Sequence, residues 1–199
     1  MMKIYGSKMS SAGRCWWAAA EAGIELEQVP LDFQKNEHKS AEYLKLNPNG
    51  KVPTLVDGDV VLWESMAINH YIAEKYKQDL FGPMDAASHA QLMQWSFWAI
   101  NHLNHAFEPL YMQKFRGPLP AEEVPKHMEE LAKWLKILDA ALEGKDYLVS
   151  NVFTLADLNV ASVVGTGRMF ELDLAPYANI ARWMGTLAAR PAFQKTFAA

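Results

Sequence analysis

The run Asn47-Pro48-Asn49-Gly50-Lys51-Val52-Pro53-Thr54-Leu55 constrains the fold most, because a hairpin signal and a helix start follow it directly. Proline has no N–H, so Pro53 fits the first residue of a strand or a tight turn, where cis bonds concentrate. Thr54-Leu55-Val56 and Val60-Val61-Leu62-Trp63 flank Asp57-Gly58-Asp59. Aspartate and glycine accept the positive φ of a tight turn, so the stretch reads as an antiparallel hairpin. Ser65 to Tyr76 then sets Ile68, Tyr71, Ile72 and Tyr76 at helical spacing.

Upstream, Lys3-Ile4-Tyr5-Gly6 is a short strand closed by glycine. Gly13 to Ala22 is an Ala- and Trp-rich helix that Gly23 stops as a C-terminal cap. Glu25 to Val29 is a second strand ending at Pro30. The order β-α-β, a weak helix, a hairpin and a helix is the thioredoxin-like order, and the handedness of crossovers limits the alternatives. Strand signals end near Lys77-Gln78-Asp79-Leu80-Phe81-Gly82-Pro83, and helical patterns take over. One helix runs from about Asp85 to Tyr111 with a bend near Pro109, and another from about Pro120 to Leu142. Thr154-Leu155-Ala156-Asp157 has the spacing of a capping box, and Ala178 to Arg190 is a last helix stopped by Pro191. The expected organisation is a thioredoxin-like α+β N-terminal domain at 1–77, a linker at 78–84 and an all-α helical C-terminal domain at 85–199.

A net charge of −4 implies no basic surface for nucleic acid. No apolar run approaches the roughly 18 residues of a membrane span, and the first residues read as a strand rather than a leader. The single cysteine, Cys15, rules out an internal disulfide framework and fits a reducing, cytoplasmic setting.

Several residues can carry chemistry. A Val-Pro bond in a cis turn leaves the N–H and C=O of Val52 free to pair with an extended peptide. The helix start at Ser65 offers unpaired N–H groups and a positive dipole end to a carboxylate. Glu64 beside it suits an ammonium group on the same carbon. A site that grips a peptide backbone on one side and an amino acid end on the other suits glutathione. Ser10 follows the first strand, at or just before the first helix, where its hydroxyl can donate to a bound sulfur. A thiol titrates near pKa ~8.5, each unit of depression takes ~1.36 kcal/mol, and a hydrogen bond to a charged group contributes roughly 1.5–3 kcal/mol. One hydroxyl and a helix end therefore suffice to lower a thiol pKa by about one to two units. The bland reading is that Ser10 or Ser11 only caps the helix.

Other groups have structural readings beside functional ones. Tyr5 is a rival thiol activator, but its place within the strand pattern favours core packing. Cys15 reads as a small buried apolar residue rather than a mixed-disulfide partner. His102, His105 and Glu108 lie at helical spacing, yet nothing completes a metal set. Surface or interface histidines and no metal are expected there.

Tyr5-Gly6 through Ser10 and Arg14, Glu37-His38-Lys39, Asn47-Pro48 through Val52-Pro53, Glu64-Ser65 and Thr154 through Asp157 together resemble the soluble glutathione transferases over the whole chain. The first domain is most similar to serine-type members of the phi, theta and related bacterial kinds. The resemblance implies that Ser10 activates the thiol, with Ser11 one residue along as the alternative. It implies that His38 and Lys39 meet the glycyl end, where Lys51 is a third candidate cation. Val52 becomes the backbone partner of the cysteinyl unit, Pro53 the cis proline, and Glu64 and Ser65 the γ-glutamyl anchor. The expected activity is conjugation of the glutathione thiolate to an apolar electrophilic small molecule held against the helical domain. The alternatives are glutathione-dependent peroxide reduction, dehalogenation or isomerisation, or a regulatory module that binds glutathione without turnover. A cytoplasmic homodimer with no nucleic-acid or membrane partner is implied. Asn49 stands where many relatives carry an aromatic that plugs the partner subunit.

Overall fold

The structure is a computed structural model that describes residues 1–197 of the 199. The chain forms two compact units, divided between Asp79 and Leu80, and residues from Arg190 onward belong with the first.

The first unit holds a four-stranded sheet of order β2-β1-β3-β4: β1 (Met2–Tyr5), β2 (Leu26–Val29), β3 (Thr54–Asp57) and β4 (Val60–Trp63). β2 runs parallel to β1, with α1 in the crossover that such a pair needs. β3 pairs antiparallel with β1, setting Ile4 opposite Leu55, and β4 pairs antiparallel with β3. Gly58, at φ 59°, turns the hairpin as its sequence requires. The helices are α1 (Gly13–Glu21), α2 (Ala41–Leu46), preceded by a 3₁₀ turn at Glu37–Lys39, and α3 (Ser65–Tyr76). Helices α1 and α3 pack together. Ile4, Trp17, Leu55, Ile68 and Ile72 are fully buried, so alternation in the strands and the three-to-four spacing of α3 both point into one core.

The second unit comprises α4 (Ala86–Trp98), α5 (His105–Arg116), α6 (Val124–Ala141), α7 (Leu155–Val164) and α8 (Ala178–Ala188). Helix α7 is buried along almost its whole length. Its start is the capping box that the sequence spells: Thr154 Oγ1 accepts from Ala156 N–H at 3.2 Å and Asp157 Oδ2 accepts from Thr154 N–H at 3.0 Å. The long pattern expected from Asp85 to Tyr111 is two helices joined by a π-helical turn at Ala99–Asn104, and it continues to Arg116. Pro109 lies inside α5 and cannot donate to the carbonyl of residue 105, so the irregular turns sit on its N-terminal side.

Pro191 does more than stop α8. It opens a further helix, α9 (Pro191–Phe197), where proline's fixed φ is tolerated because the first N–H is unpaired anyway. Helix α9 packs on α1 in the first unit. Phe193 and Phe197 meet the buried Trp17 edge-on at 5.0 and 6.3 Å. Arg190 grips Glu21 with two hydrogen bonds of 2.7 and 2.8 Å, and Trp17 Nε1 donates to the same carboxylate at 3.0 Å.

Candidate functional site

Three segments of the first unit carry the residues named from sequence. The first is the loop between β1 and α1. Gly6 has φ 120°, and a Cβ there would lie 3.0 Å from Ala12 Cβ, 3.1 Å from Val52 Cβ and 3.3 Å from Ser10 Oγ. Only glycine fits, and Ser10 and Val52 therefore converge on one point although 42 positions apart in sequence (52 − 10). Ser10 is half-buried; its Oγ donates to Ser7 O at 2.7 Å and accepts from Ala12 N–H at 3.2 Å. Ala12 is the N-cap of α1 and has no side-chain cap bond of its own, while the Ser10 hydroxyl takes up the Ala12 N–H just before the helix, as a capping serine does. Ser11 is exposed and reaches across the site, its Oγ donating to Val52 O at 2.9 Å.

The second segment is the run from Asn47 to Thr54, which includes the cis Val52-Pro53 bond. A buried polar network fixes it. Tyr43 Oη donates to Lys51 O at 2.6 Å and lies 2.8 Å from Thr54 Oγ1. Asn47 Nδ2 reaches the same two acceptors at 2.8 and 3.1 Å. Burial pushes the Tyr43 phenol above its ordinary pKa, against the hydrogen bonds from Thr54 and Asn47. Tyr43 was not singled out from the sequence; its only signal is an aromatic in a short helix beside the Asn-Pro run. Its ring meets Tyr5 at 5.3 Å, which gives Tyr5 a packing role. Lys39 Nζ donates to Asn49 O at 3.2 Å, and its side chain crosses Gly50 so closely that a Cβ there would meet Nζ at 2.6 Å. His38 stacks on Phe33 with centroids 4.6 Å apart. The Lys51 side chain is exposed, while its carbonyl serves the network. Lys39 and the His38 backbone thus lie against Gly50, in the run that continues to Lys51, Val52 and Pro53.

The third segment is Glu64-Ser65 at the start of α3. Glu64 is exposed at φ 69° and ψ 110°, a region in which a non-glycine residue is strained by roughly 1–3 kcal/mol. Ser65 is buried, at 6% exposure. Arg14, 4% exposed, donates from Nη1 to Ser65 Oγ at 3.3 Å. A hydroxyl, a helix N-terminus and a buried guanidinium meet here, a combination suited to a carboxylate. Arg14 entered the sequence reading only as part of a motif; its sign as a site group is that it lies one turn beyond Ser10 on the buried face of α1. Cys15 Sγ lies 3.6 Å from Ser65 O. Burial pushes the Cys15 thiol up to about 12, with Arg14 acting in the opposite sense, so it stays a neutral core group.

In the second unit His102 stacks on Trp134 at 4.6 Å. His105 and Glu108 line a pocket of about 310 Å³ on α5 with Pro109, Met112 and Arg116. Among the described residues no group of three or more His, Cys, Asp or Glu side chains is placed to hold a metal.

The first unit is a thioredoxin-like α/β domain and the second is helical, and the comparisons with known proteins fit that order. The family profile described as "Glutathione S-transferase, N-terminal domain" matches residues 1–74, and "Glutathione S-transferase, C-terminal domain" matches residues 100–191. The chain is 39% identical to "Glutathione S-transferase 3" of Zea mays, covering 100% of this chain and 94% of that protein. A solved structure of glutathione S-transferase-I bound with lactoylglutathione superimposes with a TM-score of 0.90 at 36% identity, covering 99% of this chain and 98% of the other. The theta-class glutathione S-transferase of Xanthomonas axonopodis pv. citri, solved with glutathione bound, gives 0.90 at 29% identity over 100% and 97% of the two chains. This chain belongs to the glutathione S-transferase family. It is a glutathione transferase with glutathione as its cosubstrate.

Proposed function

We propose that this chain is a serine-type, phi-like glutathione S-transferase in which Ser10 stabilises the glutathione thiolate. The observation that carries the reading is the convergence of Ser10 Oγ and Val52 at Gly6. It brings a hydroxyl next to the backbone that would pair with the cysteinyl unit. Glutathione would lie with its γ-glutamyl carboxylate at the α3 N-terminus, near Ser65 and Arg14, and its ammonium group at Glu64. His38, Lys39 and Lys51 would meet the glycyl carboxylate. On binding, Ser10 turns its hydroxyl from Ser7 O to the sulfur. The thiol proton leaves to solvent, the thiolate attacks an electrophilic carbon of an apolar small molecule, and a C–S bond replaces the bond to the leaving group. The identities of 36–39% to plant transferases support the phi-like assignment. The protein is proposed to act as a cytoplasmic homodimer, as family members do. The free-edge strand β4 keeps Val60, Val61 and Trp63 at 38%, 38% and 41% exposure, an apolar surface that association can cover.

Ser10→Ala tests the reading. One hydrogen bond to a charged sulfur predicts a turnover loss of about 10- to 100-fold, with glutathione affinity held within a few-fold. The thiolate absorbance of the bound cosubstrate should titrate at higher pH by about one unit or more. A Ser10→Ala enzyme with unchanged turnover and unchanged thiol titration refutes the assignment.

A further inference from the structure

Ser10 and Ser11 are neighbours with different partners. Among the described residues the Ser10 hydroxyl makes local hydrogen bonds, to Ser7 O and from Ala12 N–H. Ser11 makes a long-range one, donating to Val52 O at 2.9 Å across 41 positions. Val52 O belongs to the residue whose backbone would pair with the cysteinyl unit of glutathione. The carbonyl has two lone pairs, so it can hold the Ser11 hydroxyl and still accept a ligand N–H.

The rest of the Asn47–Thr54 run is anchored one residue earlier, where Tyr43 and Asn47 hold Lys51 O. The helix that follows the loop carrying Ser10 has no side-chain cap bond from its N-cap residue, Ala12. The Ser11–Val52 bond therefore ties that loop directly to the anchored run. We infer that Ser11 is a positioning residue: its bridge to Val52 O sets the register between the Ser10 hydroxyl and the backbone that holds the cysteinyl residue. The inference rests on the reading of Ser10 as the thiol activator. It assigns the second serine a role distinct from the first, through geometry rather than through contact with sulfur.

A double-mutant cycle separates the two roles. The readout is the pH at which the bound glutathione thiol ionises, followed by its thiolate absorbance, with turnover measured in parallel. Circular dichroism confirms that each variant is folded. Ser11→Ala in the otherwise unchanged enzyme is expected to raise that pH by roughly 0.5–1 unit and to lower turnover several-fold. Ser11→Thr, which keeps the hydroxyl, is expected to restore both. In the Ser10→Ala background, Ser11→Ala is expected to shift nothing further, because a positioning group has no effect once the positioned group is gone.

Equal Ser11→Ala shifts in both backgrounds would make Ser11 an independent donor to sulfur and overturn the inference. An unchanged thiol titration in Ser11→Ala, whatever its stability, overturns it too and leaves the Ser10 reading intact. An unchanged titration in Ser10→Ala with loss in Ser11→Ala overturns both, since the activator would then be Ser11 itself.

Discussion

Asp157→Ala should destabilise the helical unit, and should do so more at acid than at neutral pH. The carboxylate is fully buried and accepts four hydrogen bonds: Leu148 N–H at 2.9 Å and Trp183 Nε1 at 3.1 Å on Oδ1, Thr154 N–H at 3.0 Å and Thr154 Oγ1 at 3.3 Å on Oδ2. Alanine strands two backbone N–H groups and an indole N–H where water does not reach, at about 1–3 kcal/mol each, while the threonine hydroxyl can rotate away. Against this, burial pushes the Asp157 carboxyl up to about 6 from 3.8, outweighing the hydrogen bonds from Leu148, Thr154 and Trp183. A folded pKa raised above the unfolded one adds stability that is complete below pH ~3.8 and lost as pH rises through ~6. At neutral pH the buried charge therefore costs about 3 kcal/mol relative to the neutral acid, and removing it recovers that amount. The net loss for Asp157→Ala at pH 7.5 is thus expected near 3 kcal/mol, within a span of about 0–6 kcal/mol. At pH 4.5 the penalty should be larger by about 2 kcal/mol. Urea unfolding of both proteins at the two pH values measures this, with glutathione affinity checked on the folded fraction. A penalty that is equal at both pH values, or greater at pH 7.5, refutes the electrostatic part of the reasoning. Wild-type stability at both refutes the whole.

Two further predictions concern the glutathione site. Glu64→Ala and Ser65→Ala should each weaken glutathione binding by roughly 10- to 100-fold without unfolding the chain, since in the proposed binding mode each removes a charge-assisted contact to the amino acid end of the ligand; normal affinities by calorimetry in both would remove the anchor from this end of α3. Gly6→Ala should lower stability by about 1–3 kcal/mol and cut turnover, because φ is 120° and the new methyl presses on Ala12, Val52 and Ser10 together; a stable, fully active variant would show that these groups are not held in register there.

What the sequence determined by itself was local. Asp57-Gly58 specifies its turn because few residues tolerate positive φ, and α3 begins at Ser65 and ends at Tyr76 as its periodicity reads. Thr154 and Asp157 spell their capping box because both partners lie within one turn. The candidate site was legible to the extent that it is built from short motifs, Val52-Pro53 and Glu64-Ser65 above all. Tertiary structure decided the rest. Pro191 reads as a stop in sequence, yet it opens α9, because burying Phe193 and Phe197 on Trp17 and pairing Arg190 with Glu21 hold that short helix in place. A seven-residue helix has too few internal hydrogen bonds to be stable alone, so no local pattern announces it. Which of the adjacent hydroxyls of Ser10 and Ser11 donates to Val52 O, 41 positions away from Ser11, is likewise invisible in the sequence, and is fixed only when the strand pairing of β1 with β3 brings the two segments together.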